Sequence, residues 1–206
     1  MKATDLKKLR KEMEKELTSK RYEHTLSVAY TAASLAMVHD ANTESALIAG
    51  MLHDCAKCFS AKKLVSLCKK HNLPASEVEL QNPTALLHAK AGSFLAKGKY
   101  GIDDEDILNA IKYHTTGRPN MSKLEKIIYI ADYIEPGRTH AANLKQIRKI
   151  AYEDLDKALF RILEDTLAYL QSTGGRIDSM TKATYESVKT TVATLRGTTL
   201  CSSNQS

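Results

Sequence analysis

The sequence has no tryptophan and little of the two residues that most often interrupt helices, with 9 glycines and 4 prolines in 206 residues. Residues that favour helices, such as alanine, leucine, lysine and glutamate, are frequent. No apolar run is long enough to cross a bilayer, and the charged N-terminus lacks the apolar segment of a secretory signal. These absences predict an all-α protein in the cytoplasm that does not associate with a membrane.

Cysteine is also scarce, since the chain has only Cys55, Cys58, Cys68 and Cys201. Four cysteines in a chain of this length do not indicate a disulfide framework. Cys55 and Cys58 form a CxxC motif, but a structural zinc site needs about four ligands and no second CxxC or Cys-His pair is present. We therefore interpret these two residues as partly buried thiols on one helix face.

The formal net charge of +6 is mildly basic. Such a charge suits an anionic substrate as well as RNA, so it excludes neither. The lysine-rich N-terminal helix is interrupted by Glu12, Glu14 and Glu16, and the sequence has no aromatic stacking motif of the RNA-binding kind. A non-enzymatic RNA- or ribosome-binding adaptor is therefore the less favoured class, and no specific nucleic acid is expected as a partner.

Apolar periodicity and helix-start signals divide the chain into helices. We predict an amphipathic helix within residues 1–20 that packs on the domain, a single domain over 21–196, and a disordered tail over 197–206. Small apolar residues over 21–39 predict close packing of another helix. Two C-terminal helices are expected over 144–172, with a break near Ala151-Tyr152, and over 179–196. Helix N-caps are predicted at Asn42, Ser60, Asn82 (before Pro83), Asp103 and Ser122.

Titratable residues lie near the ends of five apolar helical stretches. A buried imidazole or carboxylate is costly unless it is bound, and a metal ion binds both. We predict that these residues converge on one metal site: His24, His53, Asp54, His88, His114 and Asp132. The other three histidines, His39, His71 and His140, lie in polar or turn-like surroundings and are assigned no role.

The order H…HD…H…H…D resembles the HD superfamily of metal-dependent phosphohydrolases. Longer phrases within residues 20–195 are similar to the symmetrical bis(5′-nucleosyl)-tetraphosphatases of that superfamily. These phrases are HDCAK from His53, HAK from His88, HTTG from His114 and ADYIEPGR from Ala131. The resemblance implies an all-α, single HD-type helical domain of six or more helices around a metal centre.

The resemblance also implies an activity and its cofactors. Diadenosine tetraphosphate would be cleaved symmetrically to two ADP, with two divalent transition metals, most often iron, while the ligand set also suits manganese or zinc. The first metal would bind His24, His53, Asp54 and Asp132, and the second would bind His88 and His114, with Asp54 bridging both. Two metals about 3.5–4 Å apart can share the hydroxide that acts as nucleophile.

A polyphosphate substrate also requires fixed positive charge. We predict Asp54 and Lys57 as catalytic residues, because an i, i+4 helical spacing would direct Lys57 to the same side as His53. Arg138 is the best candidate for a forked phosphate contact. The remaining candidates for substrate binding are Lys57 itself, Lys90, Thr115, Thr116, Gly117 and Arg118, although solvation of a surface explains Lys90 and Arg118 equally well.

Other substrates remain open within the superfamily. Mononucleotides, deoxynucleoside triphosphates and cyclic dinucleotides are compatible with the same ligand set, because the metals determine the reaction and the pocket determines the substrate. The HTTG and EPGR phrases favour a dinucleoside polyphosphate as the small-molecule partner. A homodimer is neither indicated nor excluded.

Overall fold

The computed structural model describes residues 5–141 and 143–202, which contain eleven α-helices, one π-helical turn and no strand. The all-α fold is thus confirmed. The α-helices are α1 Leu6–Glu16, α2 Ser19–Val38, α3 Thr43–Leu52, α4 Ala61–Lys70, α5 Glu77–Gln81, α6 His88–Gly98, α7 Glu105–Tyr113, α8 Lys123–Ile134, α9 Leu144–Ala151, α10 Leu155–Ser172 and α11 Ser179–Ser202.

Most of the predicted helix starts are confirmed by their capping hydrogen bonds. The side chain of Asn42 accepts from Ser45 N, and that of Ser60 accepts from Lys63 N. Ser122 forms a full capping box with Glu125. The prediction for α7 was wrong by one residue, because Asp104 rather than Asp103 accepts the N–H groups of the first turn.

The segment that begins at Asn82-Pro83 differs from the prediction. Asn82 makes no capping bond with its side chain, and Pro83–Leu87 form a π-helical turn before α6 begins at His88. The short helix α5, which precedes this turn, was not predicted. Wide π-type turns occur frequently at functional sites, and this one leads directly into a proposed metal ligand.

The core is built around α2, which packs against α3 and α8. Its inner face consists largely of small side chains, as predicted, including the fully buried Ala29, Ala32 and Ala36. On α3, a Cβ atom added to Gly50 would lie only 2.7 Å from Ala29 Cα. The absence of a side chain at Gly50 therefore permits the close contact between α2 and α3.

The expected domain boundaries stay predictions, but the first and last helices can be compared with the expected helix ranges. Leu9 and Met13 of α1 are buried, and α1 packs against α2 and α3. The break near Ala151 is confirmed, since α9 ends there and α10 begins at Leu155. Helix α11 continues to Ser202, and residues 203–206 of the predicted tail lie outside the described residues, so the boundary at 196 stays a prediction.

None of the described helices has the length and apolarity needed to cross a membrane.

Gly50→Ala should lower the free energy of unfolding by about 1–3 kcal/mol, because the new methyl group would overlap the α2 backbone. Chemical denaturation measures this change. Gly98→Ala is the matched control, since nothing lies within 4 Å of a Cβ atom at this helix end, and its stability should be unchanged or slightly higher. Equal stability of the Gly50 variant and the wild type would contradict the close packing.

Candidate metal centre

The His53-Asp54 pair lies immediately after α3, where the chain leaves the helix. Both residues are buried, His53 completely. Residues 53–58 form tight turns, with bonds such as Lys57 N to Asp54 O, instead of continuing the helix. The α-helical spacing that was expected to align Lys57 with His53 is therefore wrong, although Lys57 Nζ does reach within 3.4 Å of the His88 ring nitrogens.

The other predicted ligands come from four further helices. His24 lies in the second turn of α2, His88 begins α6, His114 follows α7, and Asp132 lies in the last turn of α8. The fold brings all six predicted ligands together, and α3 packs against α2, α6, α7 and α8. Each ligand lies near a helix end, as the sequence predicted.

The Asp54 carboxylate lies at the centre of the cluster, and its two oxygens face different histidines. Oδ1 is 3.1 Å from His88 Nε2 and 3.7 Å from His114 Nε2. Oδ2 is 3.5 Å from His53 Nε2 and 3.8 Å from His24 Nε2. Asp132 joins the second group, because its Oδ1 is 3.1 Å from His24 Nε2. Asp54 therefore belongs to two adjacent groups of potential ligands.

Hydrogen bonds outside the cluster fix the histidine tautomers. His53 Nδ1 lies 2.7 Å from the Gly50 carbonyl oxygen, and His114 Nδ1 lies 2.7 Å from that of Ile111. A carbonyl only accepts, so each Nδ1 carries a proton, and in the neutral imidazole each Nε2 then directs a lone pair into the cluster. This is the arrangement that a metal-binding imidazole requires.

The donor set fits a divalent cation. Among the described residues, His24 Nε2 and His53 Nε2 are buried without a hydrogen-bond partner. The Nε2 atoms of His88 and His114 lie only 3.1 Å apart, a distance that a shared cation would stabilise. Nitrogen and carboxylate oxygen ligands without thiolate suit iron, manganese or zinc.

The cysteine pair does not contribute to this set. Cys55 is buried, with Sγ 3.6 Å from the Gly92 carbonyl oxygen, whereas Cys58 is exposed. Because these residues lie in turns, the expectation that both thiols share one helix face is wrong. Neither thiol belongs to the ligand groups found in the described part of the chain.

The electrostatics favour the ligand form of both carboxylates and of His88, whereas for His53 the nearby Asp54 outweighs burial and raises the pKa. Burial alone would raise the pKa of Asp54, but His53, His114 and His88 outweigh it and hold this pKa well below its usual range. For Asp132, the His24 imidazole beside it, together with the more distant His53, likewise overcomes burial and lowers the pKa. Burial lowers the pKa of His88 to about 4, although Asp54 opposes the change. Both carboxylates are therefore anionic and His88 is neutral near pH 7.

Two residues that the sequence analysis did not assign contact the cluster. The buried Glu135 carboxylate lies 3.2 Å from His24 Nδ1 and accepts from Gly137 N, so it orients the His24 ring. Arg21 donates from Nη1 to Asp54 Oδ2 at 2.7 Å. Helical spacing could have found both, because Arg21 precedes His24 by three residues and Glu135 follows Asp132 by three.

The structure separates the predicted substrate contacts into two groups. Arg138 donates to Asp132 at 2.8 Å, and Thr115 lines a cavity beside the cluster. Lys90, in contrast, donates to Glu79 and to the Pro74 carbonyl, and Arg118 donates to Glu125.

The two other HTTG residues, Thr116 and Gly117, contact each other and Thr184. The hydroxyl of Thr116 donates to the Gly117 carbonyl, and a Cβ atom at Gly117 would lie 2.5 Å from Thr184 Cγ2. A substrate role for these two, for Lys90 and for Arg118 stays a prediction without support from their contacts.

The cavity beside the cluster has a volume of about 390 Å³, within the range of small-molecule sites. His114 and Asp132 form part of its wall, and Arg138 and Arg176 supply positive charge. The apolar and aromatic part of the lining comes from Leu86, Tyr129, Tyr133, Ile162 and Leu170. A flat, partly apolar group with attached phosphates could therefore bind next to the proposed metals.

Comparisons with known proteins agree with this geometry. The HD domain family model matches residues 21–137, a range that includes all six predicted ligands. A curated protein of Bacillus subtilis (strain 168) named "Bis(5'-nucleosyl)-tetraphosphatase, symmetrical" is 39% identical over 84% of this chain and 91% of its own length. A protein of the same name from Halalkalibacterium halodurans is 41% identical, over 82% of this chain and 89% of its own.

A solved structure supports the same assignment. The crystal structure of a predicted HD superfamily hydrolase involved in NAD metabolism from Clostridium acetobutylicum is 44% identical. It superposes with a TM-score of 0.86 over 89% of this chain and 96% of its own. The resemblance inferred from the sequence is thereby confirmed: the chain belongs to the HD domain family and, within it, to the family of the symmetrical bis(5′-nucleosyl)-tetraphosphatases.

Proposed function

We propose that this protein hydrolyses diadenosine tetraphosphate symmetrically to two ADP. The reaction would use two divalent transition metals, and iron is the metal that the resemblance implies. The observation that carries the proposal is the position of Asp54, whose two carboxylate oxygens face separate groups of imidazole nitrogens. The names of the relatives supply the substrate.

The six predicted ligands would divide between two metals. His24, His53 and Asp132 would hold one, His88 and His114 would hold the other, and Asp54 would bridge them. When bound, the metals would supply a hydroxide nucleophile near neutral pH and neutralise charge on the phosphoryl oxygens. Glu135 and the carbonyls of Gly50 and Ile111 keep the imidazoles in the required orientation.

The cavity would take one adenosine half of the substrate. Its aromatic and apolar side chains suit a nucleobase, and Arg138 lies where the attached phosphates would approach Asp132. A dinucleotide bound in this way places its own phosphate chain against the metals. Lys57, beside His88, supplies further positive charge to that chain.

The alternatives differ in what they predict for a substrate panel. Another HD-type phosphohydrolase would act on mononucleotides, deoxynucleoside triphosphates or cyclic dinucleotides. A non-enzymatic RNA- or ribosome-binding adaptor would bind RNA in a salt-dependent manner without hydrolysis. For the protein itself, we propose a cytoplasmic location and no specific nucleic-acid partner. The sequence predicts neither a monomer nor a homodimer.

Anaerobically purified protein, analysed for metal and incubated with diadenosine tetraphosphate, should contain about two transition metals per chain and yield ADP as the sole product. Anion-exchange chromatography separates the nucleotides. ATP plus AMP would contradict symmetrical cleavage, and turnover of mononucleotides with the dinucleotide left intact would contradict the substrate.

Asp54→Asn should lower kcat/KM by more than about a hundredfold, because even residues that only support metal ligands contribute about 10–100-fold. Metal content per chain should also fall, since the variant loses the charge that both ligand groups share. Metal analysis and product chromatography measure the two effects.

His71→Asn is the control, since this exposed ring stacks on Phe94 outside the cluster, and its activity should match that of the wild type. Full metal content together with normal activity in the Asp54 variant would refute the two-metal centre.

A further inference from the structure

Arg21 occupies a position that neither the predicted ligand set nor the cavity explains. It lies on α2 one turn before His24, on the same helix face. Its Nη1 atom donates to Asp54 Oδ2 at 2.7 Å. The side chain is 33% exposed, whereas that of Asp54 is 4% exposed. Arg21 therefore reaches from solvent to the carboxylate at the centre of the proposed metal pair.

Most of the hydrogen-bonding capacity of Arg21 is unused. A guanidinium carries five N–H donors, and the contacts with described residues involve only Nη1. Arg138, in contrast, donates to Asp132 from both Nε and Nη2. A planar fork held by one arm and open to solvent is well suited to binding a phosphate.

Arg21 and Lys57 provide positive charge outside the cavity. Neither residue lines it, whereas Arg138 and Arg176 do. Lys57 Nζ lies 3.4 Å from both ring nitrogens of His88, and Arg21 Nη1 lies 2.7 Å from Asp54 Oδ2. One pair of cations therefore lines the cavity, and a second pair contacts predicted metal ligands without lining it.

A dinucleoside tetraphosphate has two identical halves, and symmetrical cleavage requires the metals to act at its midpoint. If the cavity holds one half, the other half must extend from the proposed metal pair along another surface of the protein. The cavity has a volume of about 390 Å³, and among the described residues that line it the only arginines or lysines are Arg138 and Arg176. The second half needs its own phosphate contacts, because its charge is as large as that of the first.

We propose that Arg21, with Lys57, forms a second phosphate subsite, which binds the half of the substrate that lies outside the cavity. This inference rests on the proposed dinucleotide substrate. The bond to Asp54 is compatible with metal binding, because a carboxylate oxygen has two lone pairs and can accept from Arg21 while it faces a cation. That bond also aims the remaining N–H donors of Arg21 at the phosphate chain.

Kinetic measurements on metal-loaded Arg21→Gln, Arg21→Lys and Arg10→Gln test the subsite. Arg21→Gln should lower kcat/KM for diadenosine tetraphosphate by at least about tenfold, mainly through KM, because it loses a charge-assisted contact. Arg21→Lys keeps the charge without the fork and should fall between that variant and the wild type. Arg10→Gln should match the wild type, because Arg10 is an exposed α1 cation that contacts Tyr22 and Tyr30.

Equilibrium binding separates a phosphate contact from a merely structural role. Isothermal titration of metal-loaded protein with α,β-methylene-ADP should give two sites in the wild type, and Arg21→Gln should weaken one of them at least about fivefold. Metal titration of the metal-free variant should show unchanged affinity, because the bond from Arg21 leaves a lone pair of Asp54 available to a cation. Thermal unfolding checks that the variants are folded.

The outcomes distinguish this inference from the proposed function. A single nucleotide site in the wild type, or two unchanged sites in Arg21→Gln, would overturn the second subsite. A loss of metal affinity with unchanged nucleotide binding would show that Arg21 only positions Asp54. Failure of the wild type to cleave the dinucleotide would overturn the proposed function, whereas the phosphate contact of Arg21 is tested separately, since the two nucleotide sites are measured without turnover.

Discussion

The structure depends on one buried carboxylate that lies among four imidazoles. A charged carboxylate removed from water is costly unless cations or hydrogen-bond donors surround it. Asp54, which is 3% exposed, has His24, His53, His88 and His114 within 3.8 Å and an arginine at 2.7 Å. Because these groups come from four helices or their ends (α2, α3, α6 and α7), stabilising this carboxylate requires much of the fold. A cation at the centre would satisfy the lone pairs that the imidazoles direct at it.

The helix packing provides the precision that such a centre requires. The α2–α3 contact is very close because Gly50 has no side chain and faces Ala29. The Gly50 carbonyl also accepts from His53 Nδ1. One residue therefore determines both the separation of two ligand-bearing helices and the orientation of one ligand. Packing and ligand geometry are coupled here, so a change in the core would also disturb the site.

The helical pattern and the ligand set could be predicted from the sequence because both depend on local signals. Caps at Asn42, Ser60 and Ser122 and ligands at helix ends follow from residue types and spacing. Interactions between distant segments could not be predicted in this way. For example, nothing in the residues around Lys90 indicates that its side chain binds Glu79. Within the tight turns at residues 53–58, Cys55 packs against Gly92, which lies 37 residues away.

The proposed metal ligands and much of the cavity lining come from different parts of the chain. The HD domain match ends at residue 137 and includes every proposed ligand. Arg138, Ile162, Thr166, Leu170, Arg176 and Thr181 line the cavity and lie beyond that range. The shared domain thus contains all the proposed metal ligands, and α10, α11 and the segments around them complete the cavity. Because a pocket selects a substrate through its shape and polar groups, the selectivity of this protein should depend on its C-terminal helices more than on its metal ligands.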